Sequence, residues 1–388
     1  MNTLPLQTHY EIVRKSALYK TFYEDYPDFR DAPILNKSQL IVLLNTHFNL
    51  HNEATGVYLV RSGGSTRKPL VFPVDITENH NQRTALAQGL TANNIFSPAT
   101  IALNMFSYMD MYRTASILDD ILEKCQSTTL AVSANVAYCD AYDTALHFNP
   151  DFIFGSPSKL FLFTQYLKKQ EQQLNIKNLL YAGEFLLESY IPLFKEYFGT
   201  QNIYSLYGSA ESGIWAWCDY TENPSLFRII DGIIIEILNP DAEGYGNIII
   251  TNLFRKRFPI FRYNLGDIGR LVTIDGIEYL DLHTREKGSF SLYEVNYHLD
   301  DFKDVLNDTE RYQIQLVTNK DLHVELRFLL IKNIPEAERA SFAATKRSLV
   351  HKALGWDLEH VYVEVGPDLK LYTNEVTCKT PLVADFRK

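Results

Sequence analysis

Short apolar runs that end in glycine recur in the first half of the chain, and they limit the fold more than any other feature. Residues 151–155, 179–183 and 202–208 are such runs, and the stretch after each of the first two has apolar residues at helical spacing. Strands that alternate with helices form a parallel sheet with helices on both faces. We therefore predict an α/β fold with a doubly wound sheet.

The glycines at the ends of these runs indicate where a ligand binds. In a doubly wound sheet the ligand lies at the carboxyl ends of the strands. Gly64, Gly155, Gly183 and Gly208 each follow a predicted strand, and the strand before Gly64, residues 57–60, is expected to be buried. We expect these glycines to meet at one edge of the sheet.

The segments around these strands complete the predicted domain. Helical patterns cover residues 1–50 and 98–124, and residues 128–132 are a short predicted strand. Ser156 and Pro157 are typical of a helix cap and a first turn. From residue 229 the pattern changes to β, with a turn at residues 239–244 (Asn-Pro-Asp-Ala-Glu-Gly) between two apolar runs, so we expect an antiparallel β appendage.

The last hundred residues predict a second, smaller domain. Apolar residues alternate along 322–330, which predicts a strand with one buried face, and a helical pattern follows at 336–354. Strands and a helix of this size can form an α+β domain of their own. We predict a large N-terminal domain over residues 1–284 and a small C-terminal domain over 285–388.

Composition narrows the class of function. A chain of 388 residues with 46% hydrophobic and 22% charged residues is globular, and its net charge of −10 argues against nucleic acid as a partner. No basic leader and no apolar run of membrane-spanning length is found, so we expect a soluble, cytoplasmic protein. Neither a disulfide framework nor a zinc site is predicted, because the cysteines are far apart: Cys125, Cys139, Cys218 and Cys378.

The loop after residues 57–60 is a candidate phosphate-binding loop. Glycines let backbone N–H groups approach an anion, while hydroxyl groups and a lysine complete the shell. It is not a Walker loop, because its two glycines are adjacent and its lysine precedes proline. The alternative is a surface turn. The residues concerned are Ser62, Gly63, Gly64, Ser65, Thr66 and Lys68.

Three further residues have side chains suited to nucleotide chemistry. Glu211 follows a predicted strand, where a carboxylate can hold Mg²⁺; the alternative is a solvated turn residue. Asp267 lies in a glycine-flanked turn and suits the two hydroxyls of a ribose, or else forms an Asx turn with its own backbone. Lys379 lies near the C-terminus, where a lone lysine is usually only solvated.

Taken together, these stretches resemble the motifs of the adenylate-forming superfamily of acyl-CoA synthetases, adenylation domains and luciferases. The resemblance has five parts in the same order. Residues 62–69 resemble the SSGTTGKP loop, 155–158 resemble G-x-P-S, 182–184 resemble GGE or GAE, 207–211 resemble YGxTE and 263–267 resemble YRTGD.

This resemblance implies an enzyme that uses ATP and Mg²⁺ to form an acyl-adenylate and pyrophosphate. It assigns catalysis to Lys379 and Glu211, with Glu211 also as the metal ligand, and it makes Lys287 the hinge of a mobile C-terminal lid. It further implies that nucleotide contacts are made by Gly183, Glu184, Tyr207, Gly208, Ser209, Asp267 and Arg285.

The acceptor in the second step is left open by the sequence. The tail resembles the phenylacetate-CoA ligase branch, and residues 207–214 and 284–290 resemble the indoleacetate-lysine synthetases more closely. CoA ligases have K-x-R-G after the hinge, where this chain has residues 291–294, Ser-Leu-Tyr-Glu. We expect an amine acceptor such as an amino acid; an acyl- or aryl-CoA ligase and an inactive nucleotide-binding protein are the alternatives.

The acid substrate is expected to be small and carboxylic, bound in an apolar pocket. Phe154, Phe185 and Trp215 are candidates to line it, although aromatic residues of this kind more often belong to the core. We expect a monomer or a homodimer.

Overall fold

A computed structural model describes residues 3–52, 56–61, 70–109, 111–184, 186–285, 289–292, 295–355, 358–373 and 381–387. These residues divide into two compact units. The first comprises the described parts of 1–62, 70–183 and 193–284, and the second those of 184–192 and 285–388. None of the helices described is long and apolar enough to cross a membrane.

The helices are distributed over both units. They are α1 (Thr3–Lys15), α2 (Lys20–Tyr23), α3 (Lys37–His47), α4 (Ile76–Ala92), α5 (Thr114–Lys124), α6 (Tyr138–Phe148), α7 (Pro157–Lys169), α8 (Ile191–Phe198), α9 (Lys303–Leu306) and α10 (Glu336–Leu354).

The strands of the first unit are β1 (Val57–Arg61), β2 (Val71–Asp75), β3 (Ile101–Asn104), β4 (Thr128–Ala131), β5 (Phe152–Gly155), β6 (Asn178–Ala182), β7 (Asn202–Ser209), β8 (Gly213–Asp219), β9 (Leu226–Ile229), β10 (Ile233–Leu238), β11 (Gly246–Asn252), β12 (Ile260–Ile274) and β13 (Ile277–Arg285). Those of the second unit are β14 (Ser289–Leu292), β15 (Val295–His298), β16 (Arg311–Thr318), β17 (Val324–Ile331), β18 (Val361–Gly366) and β19 (Val383–Asp385).

The predicted parallel sheet is confirmed. Its strands are ordered β4-β3-β5-β6-β7 and all run parallel. Gly155 is paired with Tyr181, and Ala182 with Leu206, so the carboxyl ends of β5, β6 and β7 lie side by side. Each residue of β5 is buried, as expected of a parallel strand covered on both faces. Gly155, Gly183 and Gly208 therefore mark one edge of the sheet.

The β appendage continues this sheet and does not form a separate layer. From β7 the order runs β8, β9, β13, β12, β11 and β10, which gives one 11-stranded sheet whose second part is antiparallel. The turn predicted around 239–244 joins β10 to β11, and the Asp241 side chain accepts the backbone N–H groups of Glu243 and Tyr245.

Two predicted elements of the first unit are wrong. Strand β1 is not a buried strand of the parallel sheet: it pairs with β2 in a separate antiparallel hairpin, and Val60 is its only buried residue. The segment 98–124 is not helical throughout, because β3 occupies Ile101–Asn104 and the helix begins at Thr114. A short apolar run fits either period, and pairing with β4 and β5 decides for the strand.

The second unit has a four-stranded sheet in the order β18-β17-β16-β19. The predicted helix is confirmed as α10, and Gly355, with φ of 79°, caps its C-terminal end. Strand β17 is buried on both faces, including Leu329, so the expected one-sided burial is wrong. The reason is its central place, between antiparallel β16 and parallel β18.

We predict that acid weakens the first unit through His9. This side chain is buried, and burial followed by the charge of Lys256 lowers its pKa from 6.5 to about 4. Between those values the unfolded chain binds a proton that the folded chain does not, so the free energy of unfolding falls as the pH drops from 6.5 to 4. The loss is about 1.4 kcal/mol per pH unit, on the order of 3 kcal/mol in all.

Urea unfolding of His9→Gln at several pH values measures this effect. The variant should lose that part of the pH dependence, whereas replacement of the exposed His51 should keep it. An unchanged slope in His9→Gln would show that other groups cause the dependence.

Candidate active site

The turn that joins β7 to β8, residues 209–213, presents a glutamate at the carboxyl edge of the sheet; we call it the glutamate turn. Glycines make its shape possible. A Cβ atom on Gly208 would lie 2.1 Å from the carbonyl oxygen of Gly213, and Gly213 has φ of 71°. Inside the turn, the Ser212 backbone N–H donates to Ser209 Oγ at 3.2 Å. The turn is thus closed by its own backbone and serines.

The carboxylate of the turn is buried and held by a tyrosine. Glu211 is 5% exposed, and its Oε1 accepts a hydrogen bond of 2.6 Å from the hydroxyl of Tyr263 in β12. Burial, with the charge of Glu211 as a further cause, raises the pKa of Tyr263 well above its ordinary value. Tyr263 therefore stays protonated and remains a donor.

The second predicted carboxylate is held in the same way. Asp267 is 6% exposed, and its Oδ2 accepts a hydrogen bond of 2.6 Å from the hydroxyl of Tyr207. The ring of Tyr207 meets Trp215 edge-on, with the centroids 4.9 Å apart. The tyrosine of each predicted motif thus binds the carboxylate of the other motif.

These two hydrogen bonds form a crossed pair between β7 with its turn and β12. Strands β8, β9 and β13 lie between them in the order of the sheet. Bonds of 2.6 Å across that interval require the antiparallel part to curl until β12 faces the end of β7. The structure therefore brings the predicted motifs 207–211 and 263–267 together.

The turn within β12 is shaped by a neighbouring amide. Asn264 Oδ1 accepts the backbone N–H of Gly266 at 2.9 Å, and Gly266 has φ of 78°. The Asx-type bond predicted as the alternative role of Asp267 is therefore made by Asn264, which leaves the Asp267 carboxylate to face Tyr207.

Two of the three residues proposed for the acyl pocket, Phe154 and Trp215, are packed in the core. Phe154 has no exposed surface and contacts the rings of Phe96 and Phe152. Trp215 is equally buried, and its Nε1 donates to Ser212 Oγ at 3.2 Å. Both side chains are therefore part of the packed interior, and a role in acid binding stays a prediction. Gly183 follows the last residue of β6 and has φ of 85°, and the next residue, Glu184, is half-buried.

Several predicted residues lie outside the described residues. The backbone of Arg285 ends β13, but its side chain is not described. The others are Ser62, Gly63, Gly64, Ser65, Thr66, Lys68, Phe185, Lys287 and Lys379.

One described residue is nevertheless joined to the chain on both sides of Lys379. Gln313 in β16 has no exposed surface, and its Nε2 donates to the carbonyl oxygens of Tyr372 at 2.9 Å and Pro381 at 2.8 Å. Its Oε1 accepts the backbone N–H of Tyr372 at 2.8 Å. Gln313 thus fixes the separation of residues 372 and 381.

Gln313 and two other buried amides, Gln82 and Asn252, were not among the residues predicted from the sequence. Both of these contact the carbonyl oxygen of Ser212. Asn252 ends an apolar strand and Gln82 lies in a helix, where a polar residue on an apolar face is the signal that could have identified them.

The donor set fits a magnesium ion only as a partial site. Among the described residues no group of three or more His, Cys, Asp or Glu side chains is arranged to hold a metal. Mg²⁺ bound to a nucleotide needs one or two carboxylates in addition to phosphates and water. Glu211 meets this need, since its one hydrogen bond in the described part of the chain is to Oε1 and comes from an uncharged donor.

Comparison with known proteins finds similar folds among solved structures. No family model and no curated protein matches the sequence. A 2-hydroxyisobutyryl-CoA ligase in complex with 2-HIB-AMP and CoA matches with a TM-score of 0.71 and 15% identity, over 98% of this chain and 88% of that one.

Two further ligases match over the greater part of the chain. For an amide bond synthetase from Marinactinospora thermotolerans the TM-score is 0.54 at 16% identity, over 82% of this chain and 67% of that one. For an o-succinylbenzoate CoA synthetase from Bacillus subtilis it is 0.54 at 13%, over 84% and 68%. The chain has the fold of these ligases, and the predicted fold class is confirmed.

We predict that Tyr263→Phe destabilises the first unit because it leaves the buried carboxylate of Glu211 without its donor. The expected cost is about 2 to 3 kcal/mol, since hydrogen bonds to charged groups are stronger than neutral ones. Tyr19→Phe is the matched control, because Tyr19 is equally buried and its hydroxyl donates to the neutral carbonyl oxygen of Pro259 at 2.6 Å. Denaturant unfolding compares the two variants, and equal costs would refute a special role for the charged pair.

Proposed function

We propose that this protein is an ATP-dependent ligase that activates a small carboxylic acid as an acyl-adenylate and passes the acyl group to an acceptor. The observation that carries the proposal is the crossed pair, which joins two motifs at the carboxyl edge of the sheet. The fold shared with acid-activating ligases supports it.

The chemistry of the crossed pair suits the two parts of a nucleotide. The tyrosine that donates to each carboxylate is a neutral donor, so it orients the carboxylate without itself cancelling the negative charge. Glu211 is thereby suited to hold a cation, and Asp267 to accept hydrogen bonds from ribose hydroxyls. A lysine or arginine in place of either tyrosine would neutralise the carboxylate.

In the proposed reaction a carboxylate oxygen of the acid attacks the α-phosphorus of ATP. The new bond joins that oxygen to phosphorus, and the bond from phosphorus to the bridging oxygen breaks as pyrophosphate leaves. Bound Mg²⁺ would supply positive charge to the phosphate oxygens. We assign Lys379 to the same developing charge and the loop 62–68 to the phosphates, on the resemblance of these segments to the superfamily. The second unit takes the role of lid.

For the acceptor we propose an amine such as an amino acid. The segment after the predicted hinge lacks the K-x-R-G of CoA ligases, and Leu292 within it is buried in the core of the second unit. Amide-forming and thioester-forming ligases both occur among the matching structures. Mass spectrometry of the products formed with CoA or with amino acids separates the two, and a thioester as the sole product would refute the amine.

We predict acid-dependent exchange of pyrophosphate into ATP when the enzyme is screened with aromatic and medium-chain acids. Glu211→Gln keeps the bond acceptor but removes the charge, so the exchange rate should fall at least about a hundredfold. Glu243→Gln, at an exposed turn of the β appendage, removes the same charge elsewhere and should leave the rate unchanged. ATP binding without exchange for any acid would instead favour an inactive nucleotide-binding protein.

We predict that Gln313→Leu slows adenylation because it releases both chain segments that flank Lys379. The exchange rate should fall about tenfold, whereas transfer from a synthetic acyl-adenylate to the acceptor should stay within about twofold. Gln315→Leu is the control: its Nε2 donates to Gln313 Oε1 at 2.8 Å, and no hydrogen bond described joins its side chain to Tyr372 or Pro381. Equal losses in both half-reactions would indicate a general loss of structure.

A further inference from the structure

A buried amide cluster holds the backbone of the glutamate turn next to Glu211. The carbonyl oxygen of Ser212 accepts two side-chain donors, Gln82 Nε2 and Asn252 Nδ2, each at 2.9 Å. These three residues are at most 1% exposed. The residue next to Glu211 is therefore fixed by two hydrogen bonds that solvent does not weaken.

Gln82 joins three elements at this point. Its Nε2 also donates to the carbonyl oxygen of Ile214 in β8 at 3.0 Å, and its Oε1 accepts from Asn252 Nδ2 at 3.0 Å. Helix α4, which carries Gln82, and strand β11, which ends at Asn252, are thus tied to both sides of Gly213. The amide of Gln82 uses its donors and its acceptor within one cluster.

The cluster leaves no space for a side chain at position 213. A Cβ atom on Gly213 would lie 2.9 Å from both Gln82 Nε2 and Arg255 Nη2. Arg255 is 1% exposed, and its Nη2 donates to Asn79 Oδ1 at 2.7 Å. Side chains from α4 and from the segment after β11 therefore enclose the backbone of the turn.

Buried polar groups need hydrogen-bond partners, but that need alone does not explain why the amide cluster lies directly beside Glu211. Tyr263 fixes the carboxylate itself, and the amide cluster fixes the backbone one residue later. With both held, the Glu211 side chain has little freedom left. A carboxylate that is already in place loses less entropy when it binds a cation.

We propose that Gln82, with Asn252, is a positioning residue that sets the affinity of Glu211 for the magnesium of Mg-ATP by holding the glutamate turn. This inference rests on the proposed function and adds to it the residues that preorganise the metal ligand. Neither amide touches the nucleotide in this account.

The test compares Gln82→Leu with Lys346→Met. Lys346 is a matched control in the second unit, because it too is buried and its single nitrogen donates to two carbonyl oxygens, those of Asp304 and Asn307. The first measurement needs no ligand: hydrogen exchange of the peptide 207–216, followed by mass spectrometry. We expect exchange about tenfold faster in Gln82→Leu and unchanged in Lys346→Met.

The second measurement is the binding of Mg-ATP by calorimetry together with the magnesium dependence of pyrophosphate exchange. Gln82→Leu should need about tenfold more Mg²⁺ for half-maximal exchange, with the KM for the acid within twofold. In the double variant with Tyr263→Phe, the increase in the Mg²⁺ requirement should be smaller than the product of the increases in the two single variants, because both residues act through Glu211. If Gln82→Leu does not fold, Gln82→Met serves in its place.

The outcomes separate the inference from the proposed function. Unchanged hydrogen exchange in the Gln82 variant, or equal changes in magnesium dependence for Gln82→Leu and Lys346→Met, would overturn the inference. If the wild type binds Mg-ATP but exchanges no pyrophosphate with any acid, the proposed function fails. The inference is then decided by calorimetry, where tenfold weaker Mg-ATP binding in Gln82→Leu supports it and equal binding refutes it.

Discussion

Two hydrogen bonds from tyrosine to carboxylate hold the candidate site together. Tyr263 binds Glu211 and Tyr207 binds Asp267, so each of two segments supplies the donor for the other's acceptor. A buried carboxylate without a partner is costly, and the crossed arrangement removes that cost at both positions at once. The rest of the first unit brings the segments 207–211 and 263–267 close enough for these bonds to form.

The 11-stranded sheet is the main element that positions these two segments. Its parallel part places the end of β7 at the edge where ligands of such folds bind, and its antiparallel part returns β12 to the same edge by curling. The buried amides of Gln82 and Asn252 then hold the glutamate turn against the sheet. Short-range turn geometry and long-range topology therefore determine the position of one carboxylate together.

Much of this could be predicted from the sequence where the signal is local. The strands before Gly155 and Gly183 and helix α10 have clear periodicity and clear ends, and they were predicted nearly to the residue. The resemblance of motif residues also brought Glu211 and Asp267 into one hypothesis. These ends could be predicted from local sequence because glycine adopts the backbone conformations that end a strand or helix at little steric cost.

The rest depended on contacts between distant residues. Nothing in residues 101–104 distinguishes a strand from a helix until β4 and β5 pair with it. The partners of Glu211 and Ser212 come from 52 residues later and 130 residues earlier in the chain. Phe154 was a candidate for the pocket as an aromatic residue, and only the fold shows that its neighbours are the rings of Phe96 and Phe152.

The central claim is that a carboxylate oxygen of the acid becomes bonded to the α-phosphorus of ATP. An acid labelled with ¹⁸O in its carboxyl group, identified by the exchange screen, tests this directly. After complete turnover with the acceptor, mass spectrometry of the nucleotide should show AMP that carries one ¹⁸O atom. Unlabelled AMP, or label found in inorganic phosphate with ADP as the nucleotide product, would contradict the account.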